Sequence, residues 1–276
     1  MAAEELAWSA RKRLEFIEFR CLWEGQINRV DLIDIFGISV PQATKDLSRY
    51  QDIAPGNIRY DRQAKTYLAS DNFNPVFGEL SAEGYLTALI DRIRAPLEAS
   101  WLSEVPATQL TPRPLRSVDA RILKAIAVAI RRRRKVQINY QSMSSPQTKL
   151  RMIHPHAFAS DGWRWHARAW CENTERFKDF VLSRITQAGL GDESPIDPAH
   201  DHEWNEDTDI IIGPHPDLSP DQKRIIQMDY GMKRGRVTLT VKKALEYYAL
   251  KQLGLGAGHE KRPAHEQQIV RLASTP

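Results

Sequence analysis

Three residues, Gly37-Ile38-Ser39, constrain this chain more than any others, because they leave room only for a tight turn between two short amphipathic segments. Upstream, Arg29 to Phe36 reads as a helix with Val30 and Ile33 turned inward and Ile35 a further candidate, closed by a glycine that tolerates positive φ. Downstream, Ser39 is a helix N-cap with Gln42 three positions on, a spacing that satisfies orphan amides reciprocally, and Pro41 is tolerated in the first turn. Val40, Ala43, Leu47 and Tyr50 recur at spacings of three and four and form the inner face of this helix. Its outer face then carries Gln42, Lys45, Asp46, Ser48 and Arg49, mostly donors of the kind that reach base edges and phosphates.

The flanking segments complete a recognisable unit. Residues 11–23 form a first helix with Leu14, Ile17 and Cys21 on one face and Phe16, Phe19 and Trp23 beside it. After the third helix, Asn57 to Tyr60 and Thr66 to Leu68 form a hairpin with Arg62, Gln63 and Lys65 near its tip. Three helices and a basic hairpin in this order make a winged helix-turn-helix over residues 1–78. Its expected DNA-contacting residues are Ser39, Gln42, Lys45, Ser48, Arg49, Arg62 and Lys65.

Charge is distributed unevenly over the 276 residues. Residues 112–190 hold 16 basic against 5 acidic side chains, whereas 1–78, 79–111 and 191–276 are each slightly acidic. The middle of the chain therefore favours an anionic partner. Residues 79–116 read as a linker, with a helix over Ser81 to Leu97 and a connector marked by Pro106, Pro112 and Pro114. A helix over Val118 to Arg134 follows, striped by Ile122, Ile126 and Ile130 and ending in the run Arg131 to Lys135, which suits the negative end of a helix dipole.

Beyond it the pattern alternates with period two. Val136 to Tyr140, Arg151 to His154, Trp163 to Cys171 and Asp179 to Ile185 are expected strands of a small antiparallel barrel over residues 117–190. Alternation sets Arg164, His166 and Arg168 on one polar, cationic face and Trp163, Trp165, Ala167 and Ala169 on the other, with Trp165 read as core. Residues 191–276 begin with an acidic loop, Asp192 to Asp209. Strands at Ile210 to Ile212, Arg236 to Val241 and Gln268 to Leu272, with a helix at Lys243 to Leu253, then indicate a small α+β domain.

The segment Arg164-Trp165-His166-Ala167-Arg168-Ala169-Trp170-Cys171, with the later Phe180-Val181-Leu182-Ser183-Arg184-Ile185, resembles the WYL-domain transcription regulators. The Trp-Tyr-Leu triplet of that family corresponds to Trp165-His166-Ala167, so two of its three letters differ. The form Trp-His-x-Arg-Ala with Ser-Arg-Ile is similar to the subgroup that controls phage-defence operons, the BrxR and CapW type. The resemblance runs through almost the whole chain, as a winged helix, a WYL domain and a WCX-like extension. It implies a multi-domain α+β protein whose central Sm-like, SH3-like β-barrel binds a nucleic-acid or nucleotide-type ligand. By position the ligand set is Tyr140, Ser142, His154, His156, Arg164, His166, Arg168, Lys178, Ser183 and Arg184. Arginine suits this role because its planar fork fits phosphate oxygens and stacks on bases.

The expectation is therefore a cytoplasmic, homodimeric repressor that dimerises through residues 191–276, reads a palindromic double-stranded operator and responds to ligand. No cofactor, catalytic residue, metal site or membrane contact is expected. The apolar runs are far shorter than a membrane span, and Cys21 and Cys171 lack a CxxC neighbour. Two alternatives stay open: a metal-dependent nucleic-acid-processing enzyme built on His154, His156 and an Asp, and an RNA-binding Sm-like adaptor.

Overall fold

The computed structural model describes residues 7–77, 81–95, 100–103, 105–112 and 116–273. The chain divides into two compact units, residues 1–113 and 114–276.

In the first unit, α1 (Trp8–Glu24) ends at Gly25, whose φ of 74° reverses the chain into β1 (Gln26–Ile27). Helices α2 (Arg29–Phe36) and α3 (Val40–Ile53) follow, then β2 (Ile58–Asp61) and β3 (Thr66–Ala69). The strands form one antiparallel sheet in the order β1-β3-β2. Leu14, Phe16, Ile17, Leu32, Ala43, Leu47 and Tyr50 make its core.

Two inward assignments are corrected. Val30 and Val40 are exposed, and Leu32 is the buried residue of α2. Asn28 caps α2 by accepting from the amides of Val30 and Asp31, and Asp31 accepts from the Asn28 amide in return, which sets the start of the helix and its rotation. At α3 the capping is one-sided. Ser39 accepts from the Gln42 amide, but the Gln42 side chain turns forward to Asp46 instead of back to the cap.

Helix α4 (Ala82–Arg94) is capped by Ser81 and packs on α1. Leu89 meets Phe19 and Leu102, and the Tyr85 ring stacks on Trp23 at 4.6 Å. The middle of the segment read as a linker is thus part of a packed layer. The end of the helix expected over Ser81 to Leu97, and Pro114, lie outside the described residues.

The second unit opens with α5 (Ala120–Arg132), which ends at Arg133 in the left-handed region (φ 49°) and turns into β4 (Arg134–Tyr140). Strands β5 (Lys149–Ser160), β6 (Trp165–Cys171), β7 (Arg176–Val181) and β8 (Ile185–Glu193) follow. They form an antiparallel sheet in the order β7-β6-β5-β4-β8, and α5 lays Ile122, Ile126 and Ala129 on it. Among the described residues β7 and β8 do not pair, so the sheet is open and the closed barrel is not realised. The strand expected over Asp179 to Ile185 ends at Val181, where a 3-10 turn at Leu182–Arg184 carries the chain into β8.

The expected acidic loop contains the short α6 (His202–Asn205). Next come β9 (Asp207–Pro214), α7 (Pro220–Asp229), β10 (Val237–Lys242), α8 (Glu246–Gln252) and β11 (Ile269–Arg271). The sheet order is β10-β9-β11, around a core of Ile210, Ile212, Leu218, Ile226, Leu255 and Ile269. Among the described residues no helix is long and apolar enough to cross a membrane.

Candidate nucleic-acid interface and sensor face

Helix α3 is held by polar groups on its inner side. Arg13 of α1 donates to both oxygens of Asp46, Nε at 2.6 Å and Nη2 at 3.3 Å, and Gln42 Nε2 adds a bond at 2.9 Å. Asp46 is therefore a buried anchor and not, as the helical spacing suggested, part of the outer face. Tyr50, fully buried, donates to Glu18, and Glu18 also accepts the amides of Val76 and Phe77. Burial pushes the Glu18 carboxyl above its ordinary value, against those three bonds.

With Asp46 and Tyr50 tied inward, Lys45, Ser48 and Arg49 stand exposed together on α3, and Ser39 is exposed at its N-terminus. Gln42 is half-buried and already engaged. Arg62 and Lys65 are exposed at the hairpin tip, where Asp61 accepts from the amides of Gln63 and Ala64 and Lys65 adopts φ 54°. Sequence reasoning missed Arg59, exposed on β2 one residue after the buried Ile58. Period-two alternation from Ile58 was the signal available.

The residues assigned to the ligand set fall in three places. Tyr140 is buried and its hydroxyl accepts from the Val181 amide, while the Arg184 carbonyl accepts from the Gln141 amide. Ser142, Ser183 and Arg184 belong to this edge, with Ser183 exposed. Lys178 is half-buried on β7, where burial lowers its pKa. The second place is around His154, which is buried with Nδ1 2.8 Å from Ser194 Oγ and Nε2 3.0 Å from Glu172. His156 takes a different partner, Asp201, at 2.9 Å, beyond a register shift in β5.

The third place is the β6 face, where alternation held but exposure did not. Arg164, His166 and Arg168 do share a side, yet the C-terminal chain covers it. Arg168 is 3% exposed. Its Nε and Nη2 meet Asp201 at 2.7 and 2.8 Å, Nη2 meets Glu203 at 2.9 Å, and Nη1 meets Asp179 at 3.4 Å. Burial alone would lower the Arg168 pKa, but the bonds from Asp201 and Glu203 more than reverse it. The same bonds, with His156, hold Asp201 below the usual carboxylate value despite burial. Although residues 112–190 hold few acids, Arg168 is fully paired, because two of its three carboxylates come from residues beyond 190.

His166 is buried, its ring lying 5.0 Å from that of Tyr248, and Tyr248 donates to Asp179 at 3.1 Å. Arg164 pairs with Asp161 through Nε at 2.9 Å and Nη2 at 2.8 Å. On the opposite side Ala167 and Ala169 are core as expected, but Trp165 is 57% exposed, because β6 begins there and the sheet core starts two residues later.

Together these features define a winged-helix regulator with a covered cationic sheet and a C-terminal α+β module. Comparison with known proteins agrees segment by segment. Residues 9–91 match the BrxR transcriptional regulator winged helix-turn-helix domain, 121–190 the WYL domain, and 207–274 the BrxR C-terminal dimerization domain. A DNA-binding transcriptional repressor CapW of Escherichia coli (strain KTE188) is 42% identical over 253 residues, covering 90% of this chain and 84% of the relative. The CapW repressor of Stenotrophomonas maltophilia is 37% identical over 275 residues, covering 98% and 92%. That of Pseudomonas aeruginosa is 36% identical over 272 residues, covering 96% and 89%. The chain belongs to the BrxR and CapW family of WYL-domain transcriptional regulators, whose curated relatives are named as repressors and not as enzymes.

Proposed function

We propose that this chain is a homodimeric, sequence-specific DNA-binding repressor of a phage-defence operon, released by a nucleic-acid or nucleotide-type ligand at its WYL domain. In this reading residues 1–78 bind DNA, 79–116 connect, 117–190 sense and 191–276 dimerise. The observation that carries it is the exposed group Lys45, Ser48 and Arg49 on α3, with Arg62 and Lys65 on the adjoining wing. A helix placed in a major groove reads bases through such donors, and a wing adds phosphate contacts. The names of the relatives and the dimerization-domain match support the same assignment. Two copies would set two α3 helices about one helical turn, or a multiple, apart on a palindromic site.

The ligand set proposed on residue chemistry is Tyr140, Ser142, His154, His156, Arg164, His166, Arg168, Lys178, Ser183 and Arg184. Arg168 and His156 can reach a ligand only as Asp201 lets go, so occupancy there would be linked to the position of the C-terminal chain.

The deciding test is a gel shift of the purified protein on its own upstream DNA, with and without short 5′-phosphorylated oligonucleotides. Arg49→Ala should weaken the specific complex by about 1–3 kcal/mol. Arg184→Ala, at a side chain that carries no ion pair among the described residues, should keep the complex and weaken its release. A wild type that prefers no upstream segment refutes the repressor assignment and brings an RNA-binding adaptor to the front.

A further inference from the structure

Val40 opens α3 with its isopropyl group 55% exposed. Exposure alone does not distinguish it, because single apolar side chains stand in water on most protein surfaces, Val30 of α2 among them. What distinguishes Val40 is its company on the helix. Thr44 lies one turn on, along the same face, and its Oγ1 donates to the Val40 carbonyl at 3.0 Å. That bond spends the hydroxyl on the backbone and leaves the methyl as the free group of the side chain. Pro41, exposed beside Val40, adds ring carbons and has no amide to donate. The first turn of α3 is therefore apolar on its outer side, and the exposed donors Lys45, Ser48 and Arg49 begin just beyond it.

The groups on α3 that would read adenine are engaged elsewhere. A bidentate adenine contact needs the terminal amide of an Asn or Gln. This helix has two such side chains, and both are committed inside the unit: Gln42 Nε2 donates to Asp46 at 2.9 Å and Gln51 Nε2 to the Ile58 carbonyl at 3.4 Å. An A·T pair offers a second handle in the major groove, the C5 methyl of thymine, next to the O4 acceptor. Methyl groups beside a donor are complementary to that edge, and Val40 and Thr44 stand beside Lys45. Taking one such methyl out of water changes affinity about fourfold.

We propose that Val40 is a specificity-determining residue which packs, together with the Thr44 methyl, on the C5 methyl of one thymine in each half of the operator. The inference rests on the DNA-reading assignment of α3 and adds an apolar contact to a surface otherwise read through cations and hydroxyls. Among the four unmodified bases only thymine carries a methyl group in that groove, so the valine selects A·T over G·C and also sets which strand holds the thymine.

Polarisation titrations of the full-length protein on its own upstream segment, with thymines replaced one at a time by deoxyuridine, test this, since the exchange removes the methyl and keeps the base pair. For wild type, replacement at one position in each half-site should weaken binding about fourfold. Val40→Ala should lose a similar factor on the thymine duplex, show no further loss with deoxyuridine at that position, and keep the wild-type melting temperature. Thr44→Ser, which retains the hydroxyl that bonds the Val40 carbonyl, should diminish the deoxyuridine penalty without abolishing it. Lys45→Ala removes a donor and no methyl, so it should weaken both duplexes by the same factor. The proposal is overturned if a specific wild-type complex is indifferent to every deoxyuridine, or if the penalty persists in full in Val40→Ala. A penalty untouched by Thr44→Ser removes Thr44 from the contact. A wild type with no preference for any upstream segment refutes the DNA-reading assignment itself, and this inference falls with it.

Discussion

Arg168 grips Asp201 with two parallel hydrogen bonds, at 2.7 and 2.8 Å, across 33 residues of sequence and with both side chains almost fully buried. The pair clamps the segment leading to the C-terminal module onto β6. Removing one partner strands the other as a buried, uncompensated charge, which typically costs about 3–5 kcal/mol. Arg168→Ala and Asp201→Ala should each lower stability by that order, and the double variant should lose clearly less than the sum. Denaturant unfolding measures it, and additive losses would show that the two side chains do not act as a pair.

The same reasoning applies to Arg13 and Asp46 beneath α3. Arg13→Ala should destabilise the winged helix by about 3 kcal/mol. It should also weaken operator binding, because Asp46 and Gln42 lose the group that sets the rotation of the helix. Unfolding and gel-shift measurements on one preparation would check both effects.

On the exposed side of α3, Lys45→Ala and Arg49→Ala should leave stability within about 0.5 kcal/mol of wild type. Each should cost about 1–3 kcal/mol of specific binding if it reads a base. A phosphate contact would instead reduce the salt slope by about one without changing sequence preference. Polarisation titrations at several salt concentrations separate the two roles.

Acidification should weaken the second unit in a defined window. Burial lowers the pKa of both His156 and His166 from the ordinary 6.5. The unfolded chain therefore takes up protons first, and their contribution, full above about pH 6.5, declines as pH falls below it. Asp201, whose pKa is lowered from 3.8, loses its contribution only in more acidic solution. The unfolding free energy of wild type relative to that of His166→Phe should thus fall between pH 7 and 5. A difference constant over that range would mean that His166 is not held neutral.

Much of the reading half of the molecule was legible because its signals are local. Gly37 and Ser39 bracket the turn, and the end of α2 and the start of α3 follow from them. Val30 and Val40 were misplaced because the capping side chains of Asn28 and Ser39 shift the first turn, where helical periodicity is weakest. Helix α7 was missed although Ser219 and Gln222 form a capping box, since its inward face is short and Ile225 and Met228 are exposed. The covered face of β6 was half legible. Alternation grouped Arg164, His166 and Arg168 correctly, but nothing local to β6 indicates that Asp201, Glu203 and Tyr248 return to cover it, because such contacts span 33 to 82 positions of sequence.

Glu18 accepts from Tyr50 of α3 and from the amides of Val76 and Phe77, and Asn57 joins the same cluster by donating to the Tyr50 hydroxyl and to the Asn74 carbonyl. One buried carboxylate thereby fastens the scaffold helix, the recognition helix and the chain leaving the wing. A surface assembled before it meets its target loses little conformational entropy on docking. For this protein the recognition helix and the wing arrive at the groove at a spacing already set, so a DNA site whose grooves do not match that spacing must itself deform or be refused.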